Sequence, residues 1–394
     1  MQLIDNIPVW GAPDPGAISQ IKTCAATADK VALMADHHKG YAVPIGGVVA
    51  YKDAISPSGV GFDIACGNKA VRIEGIAAER VRADIRGIMD KVWQQISFGV
   101  GRNNSETVDH PLFERDSHPG WKTDAAKPLK QMARNQLGTV GSGNHYVDIF
   151  TDELDRVWVG VHFGSRGLGH KTATWFLKAA GAKDGMDVPP CVLDARSDLG
   201  QQYLSAMDLA GKYAYAGRDW VCSKVAAILG GEIVEEVHNH HNFAWRETHG
   251  GEDFWVVRKG ATPAFPGQKG FVGGTMGETS VILEGVENKS AELSLYSTVH
   301  GAGRVMGRME AKGKVDKKTG EVKRAGKVTR EMMDGWLKRA NVELRGAGLD
   351  ESPDCYKRLG DVLGEHHDSI KILHTLTPVG VAMAGADEFD PYKD

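Results

Sequence analysis

The sequence predicts an α+β fold, a single large composite domain in which a glycine-rich β core is surrounded by helices. Apolar residues recur at helical spacing in four segments, and short β-rich runs lie between them. The chain has 49 glycines among 394 residues, about twice the average share, and their clustering beside polar residues indicates many sharp turns. Polar side chains suited to chemistry run from Asp36 to His300 without an internal repeat, which favours one domain (residues 1–394) over independent modules.

The helical spacing predicts four outer helices, in chain order at residues 15–30 with Asp14 as cap, 79–96, 198–229 and 329–344. The β-rich runs predict strands at 146–150, 157–163, 254–257 and 280–283. Each run adjoins a glycine-rich turn that carries polar side chains, so the chemistry is expected at strand ends. The charged segment 312–327 is predicted to be a basic surface hairpin whose turn is 318–321.

Charge and cysteine content restrict the class of protein. The formal net charge of -4 gives no global attraction to nucleic acid or acidic membranes, so a polyanion would need local patches. Five scattered cysteines do not describe a disulfide framework and fit a reducing cytoplasm. Residues 1–11 do not resemble a signal peptide, and no uncharged stretch is long enough to span a bilayer. The sequence therefore predicts a cytoplasmic protein without a membrane partner.

Thiol, carboxylate and imidazole donors beside glycine-rich turns predict a metal site. Cys66 follows Asp63 by three residues, and this pair suits Zn, Mn, Fe or Co better than Mg or Ca. His145, His162 and His241 each lie at the end of a strand or turn. Together these side chains are enough for two ions that share the thiolate. A structural zinc site is the alternative, but such sites usually contain closely spaced CxxC pairs, which this sequence lacks.

His300 stands in a different setting, a glycine-rich turn that ends in Arg304. Glycines there would let a phosphate approach the backbone, and Arg304 would add positive charge. Imidazole can attack phosphorus and form a phosphoramidate when a divalent metal neutralises the phosphate under attack. The residues alone leave two interpretations open, a nucleophile and a structural histidine in a turn.

Several longer motifs occur in order along the chain: MADHHKGY at 34–41, PIGG at 44–47, GFDIACG at 61–67, GSGNH at 141–145, HFGSRGLGH at 162–170, HNFA at 241–244, RKGAT at 258–262, TMG at 275–277 and HGAGR at 300–304. This set resembles the RtcB family of RNA ligases. Those enzymes join RNA 3′-phosphate or 2′,3′-cyclic phosphate ends to 5′-hydroxyl ends in tRNA splicing and RNA repair. The match is loose only after Gly307, and the chain looks like a divergent member.

The resemblance implies two Mn²⁺ ions per chain. Cys66 would bridge them, with His162 and His241 on one ion and Asp63 and His145 on the other. It also implies a fold of the RtcB type with this dinuclear site at its centre. Native Zn or Co would suit the same ligands.

The resemblance further implies GTP as co-substrate and His300 as the catalytic nucleophile. His300 would attack the α-phosphate and release pyrophosphate, and GMP would then pass to the RNA 3′-phosphate. The RNA 5′-hydroxyl would displace GMP, after cyclic ends had been opened by hydrolysis at the same metal centre. Asp36 would be an essential polar residue nearby. The sequence identifies no activating protein partner.

The GTP contacts that the resemblance implies are Asn144, His145, Tyr146, Asp148, Asn242, Thr275, Met276, Ser280, Gly301, Ala302 and Gly303.

Four departures from the family pattern mark the chain as divergent. Asp148 replaces a glutamate, and the turn 273–276 reads GGTM in place of PGSM. Glu278 replaces a threonine and would bring negative charge near the nucleotide. The stretch 378–385 lacks the lysine that contacts the guanylate in the family.

Two other functions remain open at this point. A metal-dependent phosphoesterase acting on RNA ends would keep the metal ligands but need neither GTP nor His300. A non-catalytic protein that binds RNA ends or nucleotides would fit the missing lysine. The basic hairpin at 312–327 could grip RNA phosphates, although a solvated surface hairpin is the simpler interpretation.

Overall fold

The computed structural model describes residues 1–315 and 322–386. The strands in these ranges are β1 Gln2–Ile4, β2 Ile7–Val9, β3 Lys30–His38, β4 Ile45–Tyr51, β5 Ala54–Ile55, β6 Gly67–Glu74, β7 Tyr146–Asp152, β8 Val157–Phe163, β9 Leu193–Asp194, β10 Glu232–His240, β11 Asn242–His249, β12 Glu252–Lys259, β13 Ala261–Pro263, β14 Lys269–Val272, β15 Ser280–Gly285, β16 Ser297–Val299, β17 Lys314–Val315, β18 Val322–Arg324, β19 Glu343–Ala347 and β20 Ile370–Gly385. The helices are α1 Pro15–Ala25, α2 Pro57–Val60, α3 Ala78–Ala83, α4 Ile85–Gln95, α5 Lys130–Gln136, α6 Arg166–Ala179, α7 Asp198–Leu229, α8 Lys289–Leu293, α9 Arg308–Lys312, α10 Arg330–Ala340 and α11 Leu359–Gly364.

Two mainly antiparallel sheets form the β core. The smaller has the strand order β1-β2-β3-β4-β12-β11, and the larger has the order β10-β6-β8-β7-β20-β15-β14, with β19 parallel to β20. The ends of the larger sheet approach each other, because Asn239 on β10 accepts a hydrogen bond from Phe271 N on β14 at 3.0 Å. This sheet therefore curls back on itself around a buried apolar interior that includes Phe150, Trp158 and Ile282.

The smaller sheet is buried on both faces. Leu33 and Val49 pack on one face against α1, α6 and α7, whereas Met34 and Val48 pack on the other against β14, β15 and α11. Successive side chains of a strand point to opposite faces of the sheet. Both sets are apolar here because both faces are covered. This burial holds the end of β3, which carries Asp36, in a fixed position.

Helix α7 packs against both sheets and keeps one exposed side. Its first half packs against the smaller sheet through Tyr203 and Ala210, and its second half packs against the larger sheet through Val221 and Val225. Its predicted bounds are confirmed, because Ser197 caps its start by accepting from Gly200 N and a left-handed Gly230 ends it.

The other predicted helices exist but are shorter than expected. Asp14 caps α1 as predicted, by accepting from Ala17 N at 2.7 Å, but the helix ends before β3 begins at Lys30. The helix predicted at 79–96 is split at Asp84, whose φ of -113° is not helical. The helix predicted at 329–344 ends at Ala340, because the next residue is left-handed and 343–347 form strand β19.

The predicted strands are all present, and β8 has the predicted bounds. Within the segment predicted as a basic hairpin, β17 pairs antiparallel with β18, and Lys312 ends helix α9. The predicted turn 318–321 lies outside the described residues. No helix in the described part of the chain is both long and apolar enough to cross a membrane.

Candidate active site

The ends of four neighbouring strands lie together at one edge of the larger sheet. Cys66 directly precedes β6, and His145 directly precedes β7. His162 is the last residue but one of β8, and His241 directly follows β10. Because β10, β6, β8 and β7 pair antiparallel in that order, the start of one strand lies beside the end of the next. The strand register therefore brings these four side chains to the same edge.

Five donor side chains form a continuous row at this edge. Cys66 Sγ lies 3.2 Å from His162 Nε2 and 3.4 Å from His145 Nε2. His145 Nε2 lies 3.0 Å from Asp63 Oδ2, and His162 Nε2 lies 2.9 Å from His241 Nε2. Ligands of one four-coordinate ion with bonds of about 2.0–2.3 Å lie about 3.4 Å apart. The spacings fit metal coordination, and the thiol stands in the middle of the row.

Hydrogen bonds outside the row fix the tautomers of two histidines. His162 Nδ1 donates to the backbone oxygen of Asn144 at 3.1 Å, and His241 Nδ1 donates to the side-chain oxygen of Asn242 at 3.2 Å. A carbonyl oxygen only accepts, so both Nε2 atoms carry lone pairs. Two lone pairs 2.9 Å apart repel each other unless a cation lies between them. The row therefore fits a divalent ion better than a hydrogen-bonded network.

Burial sets the protonation states of the row. It lowers the pKa of His162 and His241 well below the ordinary value, with neighbouring histidines adding to the effect, so both rings are neutral. Burial, with Asp63 beside it, raises the pKa of the Cys66 thiol well above its ordinary value. Burial also opposes ionisation of Asp63, but His145 outweighs it and the pKa of this carboxyl is lowered. Metal binding would therefore displace the thiol proton.

His300 lies beside the row, with its ring centroid 4.7 Å from that of His241. Its Nδ1 lies 2.6 Å from Asp36 Oδ2, which also accepts from His300 N at 3.0 Å. Burial would raise the pKa of Asp36, but the electrostatic attraction and hydrogen bonds of His300, together with Lys357, outweigh it and the pKa is lowered. The ionised carboxylate only accepts, so Nδ1 carries a proton, and in the neutral form of the ring Nε2 keeps its lone pair. This geometry suits a nucleophilic imidazole.

The loop after His300 packs closely on neighbouring backbone. Gly303 has a φ of 77°, and a Cβ there would collide with the backbone oxygen of Asp36. Gly301 forms an isolated bridge with Gly273, and Ala302 is buried between them and the smaller sheet. Of the predicted contacts in this loop, Gly301 therefore lies beside the turn at 273–277, and Gly303 lies against the backbone of Asp36.

Other predicted nucleotide contacts lie close by. Tyr146 and Asp148 share one face of β7, and Tyr146 packs in a cluster with Met276. Ser280 Oγ accepts from the backbone of the same turn at 2.9 Å. Burial raises the pKa of Asp148 well above its ordinary value, and its Oδ1 has no hydrogen-bond partner among the described residues. Burial thus disfavours the ionised form of this carboxyl, and one of its oxygens is left without a partner among the described residues.

Two arginines change the expected electrostatics. Arg358 Nη1 lies 2.9 Å from Glu278, which also accepts from Thr275 Oγ1 at 3.1 Å. The negative charge expected to oppose a nucleotide is therefore balanced. Arg304, expected to offer its charge to a phosphate, donates to Tyr356 Oη at 2.9 Å and stacks on that ring. Arg304 therefore anchors the loop after His300 to Tyr356.

The carboxyl-terminal stretch 378–385 lies within β20 beside β7. Met383 is paired with Tyr146, and Ala384 is buried. This stretch has apolar side chains where the resemblance to the RtcB family implies a lysine. Lys393, another cation near the end of the chain, lies outside the described residues.

Sequence reasoning missed two cations that hold the site. Arg218 on α7 has no exposed surface and donates to the backbone oxygens of Ala65 and Phe163, the neighbours of Cys66 and His162 in the chain. Lys357 Nζ donates at 2.9 Å to the backbone oxygens on either side of Asp36. These contacts join residues far apart in the chain, so no local pattern indicates them.

A second group of possible metal donors lies away from this edge, at Asp152, Glu153 and His374. Arg156 donates to Asp152 at 2.7 Å and lies 3.1 Å from His374. The guanidinium supplies the positive charge that an ion would bring. We therefore assign no metal to this group.

Comparison with known proteins agrees with the geometry. The family model described as tRNA-splicing ligase RtcB matches residues 17–384. The chain belongs to the RtcB family. It is 32% identical to the RNA-splicing ligase RtcB of Escherichia coli K12 over 382 residues, covering 89% of this chain and 88% of that protein. It is also 32% identical to the tRNA-splicing ligase RtcB of Archaeoglobus fulgidus over 466 residues, covering 97% and 92%.

The RNA-splicing ligase RtcB of Mycobacterium tuberculosis is 32% identical over 425 residues, covering 88% of this chain and 95% of that protein. These matches confirm the resemblance drawn from the motifs. They also confirm a single α+β domain of the RtcB type, since one family model spans nearly the whole chain.

Proposed function

We propose that this chain is a GTP- and Mn²⁺-dependent RNA ligase that joins 3′-phosphate or 2′,3′-cyclic phosphate ends to 5′-hydroxyl ends. The observation that carries the proposal is the position of His300. Its Nδ1 is held by the Asp36 carboxylate at 2.6 Å, and its ring lies against the row of metal donors. Membership of a family whose curated members are named RNA-splicing ligases supports the same activity.

The donor row would hold two Mn²⁺ ions, with Cys66 shared between His162 and His241 on one side and Asp63 and His145 on the other. Bound ions would neutralise phosphate charge. The row offers a donor on each side of the thiol, as a shared ligand requires. Manganese and the number of ions are inferred from the family.

In the proposed reaction, His300 Nε2 attacks the α-phosphorus of GTP, a nitrogen–phosphorus bond forms, and the bond to pyrophosphate breaks. Asp36 stabilises the positive charge that develops on the imidazole. An oxygen of the RNA 3′-phosphate then displaces His300 and takes the GMP. The RNA 5′-hydroxyl attacks the 3′-phosphorus, and GMP leaves. The residues placed around the turn at 273–277 and the loop at 301–303 would hold the nucleotide.

The proposed partners are GTP and RNA, and the expected compartment is the cytoplasm. The basic segment 312–327 remains a proposed RNA contact. Several of its cations already have partners, since Lys327 pairs with Glu310 at 2.5 Å and Lys312 lies 4.0 Å from Asp350. The Lys327–Glu310 pair is exposed and weak enough to be exchanged for a phosphate, whereas Asp350 is buried.

The proposal is tested by incubating the protein with GTP, Mn²⁺ and RNAs that carry 3′-phosphate, cyclic phosphate and 5′-hydroxyl ends. We expect wild-type protein to join the ends and Cys66→Ala to lose both joining and cyclic-phosphate opening. His300→Ala should lose joining but still open the cyclic phosphate. Joining by the His300 variant would overturn the mechanism. Opening of the cyclic phosphate without joining, by wild-type protein, would instead identify a metal-dependent phosphoesterase.

A further inference from the structure

Arg218 lies in the middle of α7 and has no exposed surface. Its guanidinium makes four hydrogen bonds. Nε donates to His238 Nε2 at 2.8 Å, and Nη2 donates to His240 Nδ1 at 2.9 Å. Nη1 donates to two backbone oxygens, those of Ala65 at 3.1 Å and Phe163 at 2.5 Å.

The bonds of Arg218 involve no carboxylate, and no ion pair joins it to one in the described residues. A guanidinium only donates, so His238 and His240 must accept and are neutral. Arg258 is equally buried, but two of its nitrogens bond to Glu247 at 2.6 and 3.0 Å. A buried cation without a paired carboxylate is costly unless hydrogen bonds satisfy its donors, as these four do.

The two backbone oxygens belong to the neighbours of two proposed metal ligands. Ala65 directly precedes Cys66, and Phe163 directly follows His162. One nitrogen of Arg218 thereby ties the turn that carries the thiol to the strand that carries the imidazole. The Sγ to Nε2 distance between these ligands is 3.2 Å.

The turn before Cys66 needs such support. Ala65 has a φ of 62°, in the left-handed region that residues with a Cβ avoid. Such a conformation persists only where neighbouring contacts hold it. The N–H of Ala65 donates to Asn242 O at 2.7 Å, and its oxygen accepts from Arg218 and lies 3.2 Å from His240 Nδ1.

We infer that Arg218 is a positioning residue for the metal centre, which holds the strained turn at Ala65 so that Cys66 faces the imidazole of His162. The inference rests on the metal site of the proposed function. A lysine would keep the charge, but a single ammonium cannot reach two imidazoles and two backbone oxygens at once.

The test is metal affinity, measured by calorimetry with Mn²⁺ and by the thiolate-to-metal absorption of bound Co²⁺. Arg218→Lys should bind both ions about 10-fold to 100-fold more weakly, as loss of a ligand-orienting contact typically does. Arg258→Lys is the matched control, since it changes an equally buried arginine away from the ligands. Its affinity should stay within about threefold of wild type. Circular dichroism confirms that each variant is folded.

Ala65→Gly separates positioning from general damage, because glycine adopts a positive φ without strain. The double variant, Arg218→Lys with Ala65→Gly, should bind both ions tighter than Arg218→Lys alone, by about threefold or more. If Arg218→Lys does not fold alone, Arg218→Gln takes its place in both comparisons.

Unchanged affinity in the Arg218 variant, an equal loss in the Arg258 control, or no recovery with Ala65→Gly would each overturn the inference. Wild-type protein that binds neither ion would overturn the metal site itself, and the inference with it. The two failures are therefore distinguishable.

Discussion

Replacing Asp36 with asparagine tests the contact that prepares His300. Asp36 Oδ2 accepts from His300 Nδ1 at 2.6 Å and from His300 N at 3.0 Å. Asparagine keeps the shape of the side chain but loses the charge that stabilises a developing imidazolium. A hydrogen bond to a charged group contributes roughly 1.5–3 kcal/mol. This corresponds to a loss of about 10-fold to 150-fold in the rate of the first step.

The loss becomes larger if the amide nitrogen of asparagine faces Nδ1. The ring must then carry its proton on Nε2, which removes the lone pair that would attack phosphorus in the proposed reaction. The assay is the single-turnover rate at which α-labelled GTP labels the protein. Thermal unfolding shows whether the variant remains folded.

Asp152→Asn is the control, because Asp152 is also buried and bonded, to Arg156 at 2.7 Å and Trp158 at 2.8 Å, but lies away from His300. We expect it to lower stability and leave the labelling rate within about threefold of wild type. An Asp36→Asn variant that labels at the wild-type rate, or an equal loss in both variants, would refute the reasoning.

Three further predictions follow from contacts around the site. Arg358→Gln leaves Glu278 without its cation and should raise the KM for GTP about threefold to tenfold, a change of about 1 kcal/mol. Adding Glu278→Thr should reverse this rise. An unchanged KM in the Arg358→Gln variant would contradict the role given to the pair. Burial lowers the pKa of Lys259 from 10.5 to about 8, so the unfolded chain binds more protons between these pH values. The free energy of unfolding should therefore rise with pH across that window by up to about 3 kcal/mol, and Lys259→Met should remove the rise in denaturant titrations. Gly303→Ala forces a Cβ against the Asp36 backbone and should abolish labelling by GTP, whereas Gly267→Ala, a surface glycine with a φ of 76° and open space around it, should not.

The parts of the fold that local signals specify were predicted well. Helix α7 has a serine cap and a left-handed glycine at its ends, so its bounds could be read directly. The helix predicted at 329–344 was too long because residues 343–347 pair in parallel with β20. Such pairing over a long sequence separation overrides local helical spacing. The packing of α7 against both sheets is likewise a tertiary property.

The residues of the site likewise fall into those that local sequence signals identify and those that only tertiary contacts determine. Asp63, Cys66 and His300 could be singled out because their residue types stand in polar, glycine-flanked turns. Strand register then brings the donors together, which the sequence does not show. Arg218 sits in a helix where a charged residue usually faces solvent, so its burial was unexpected. The pairing of Glu278 with Arg358 joins residues far apart in the chain and corrects the expected unfavourable charge.

The most direct test of the central claim is to incubate the protein with α-labelled GTP and Mn²⁺ and to examine the denatured chain for covalent label. We predict label on wild-type protein that is labile in acid and stable in alkali, as a histidine phosphoramidate would be. The His300→Ala variant should carry none. Wild-type protein that remains unlabelled with Mn²⁺, Zn²⁺ and Co²⁺, or label that persists in the His300 variant, would contradict the account.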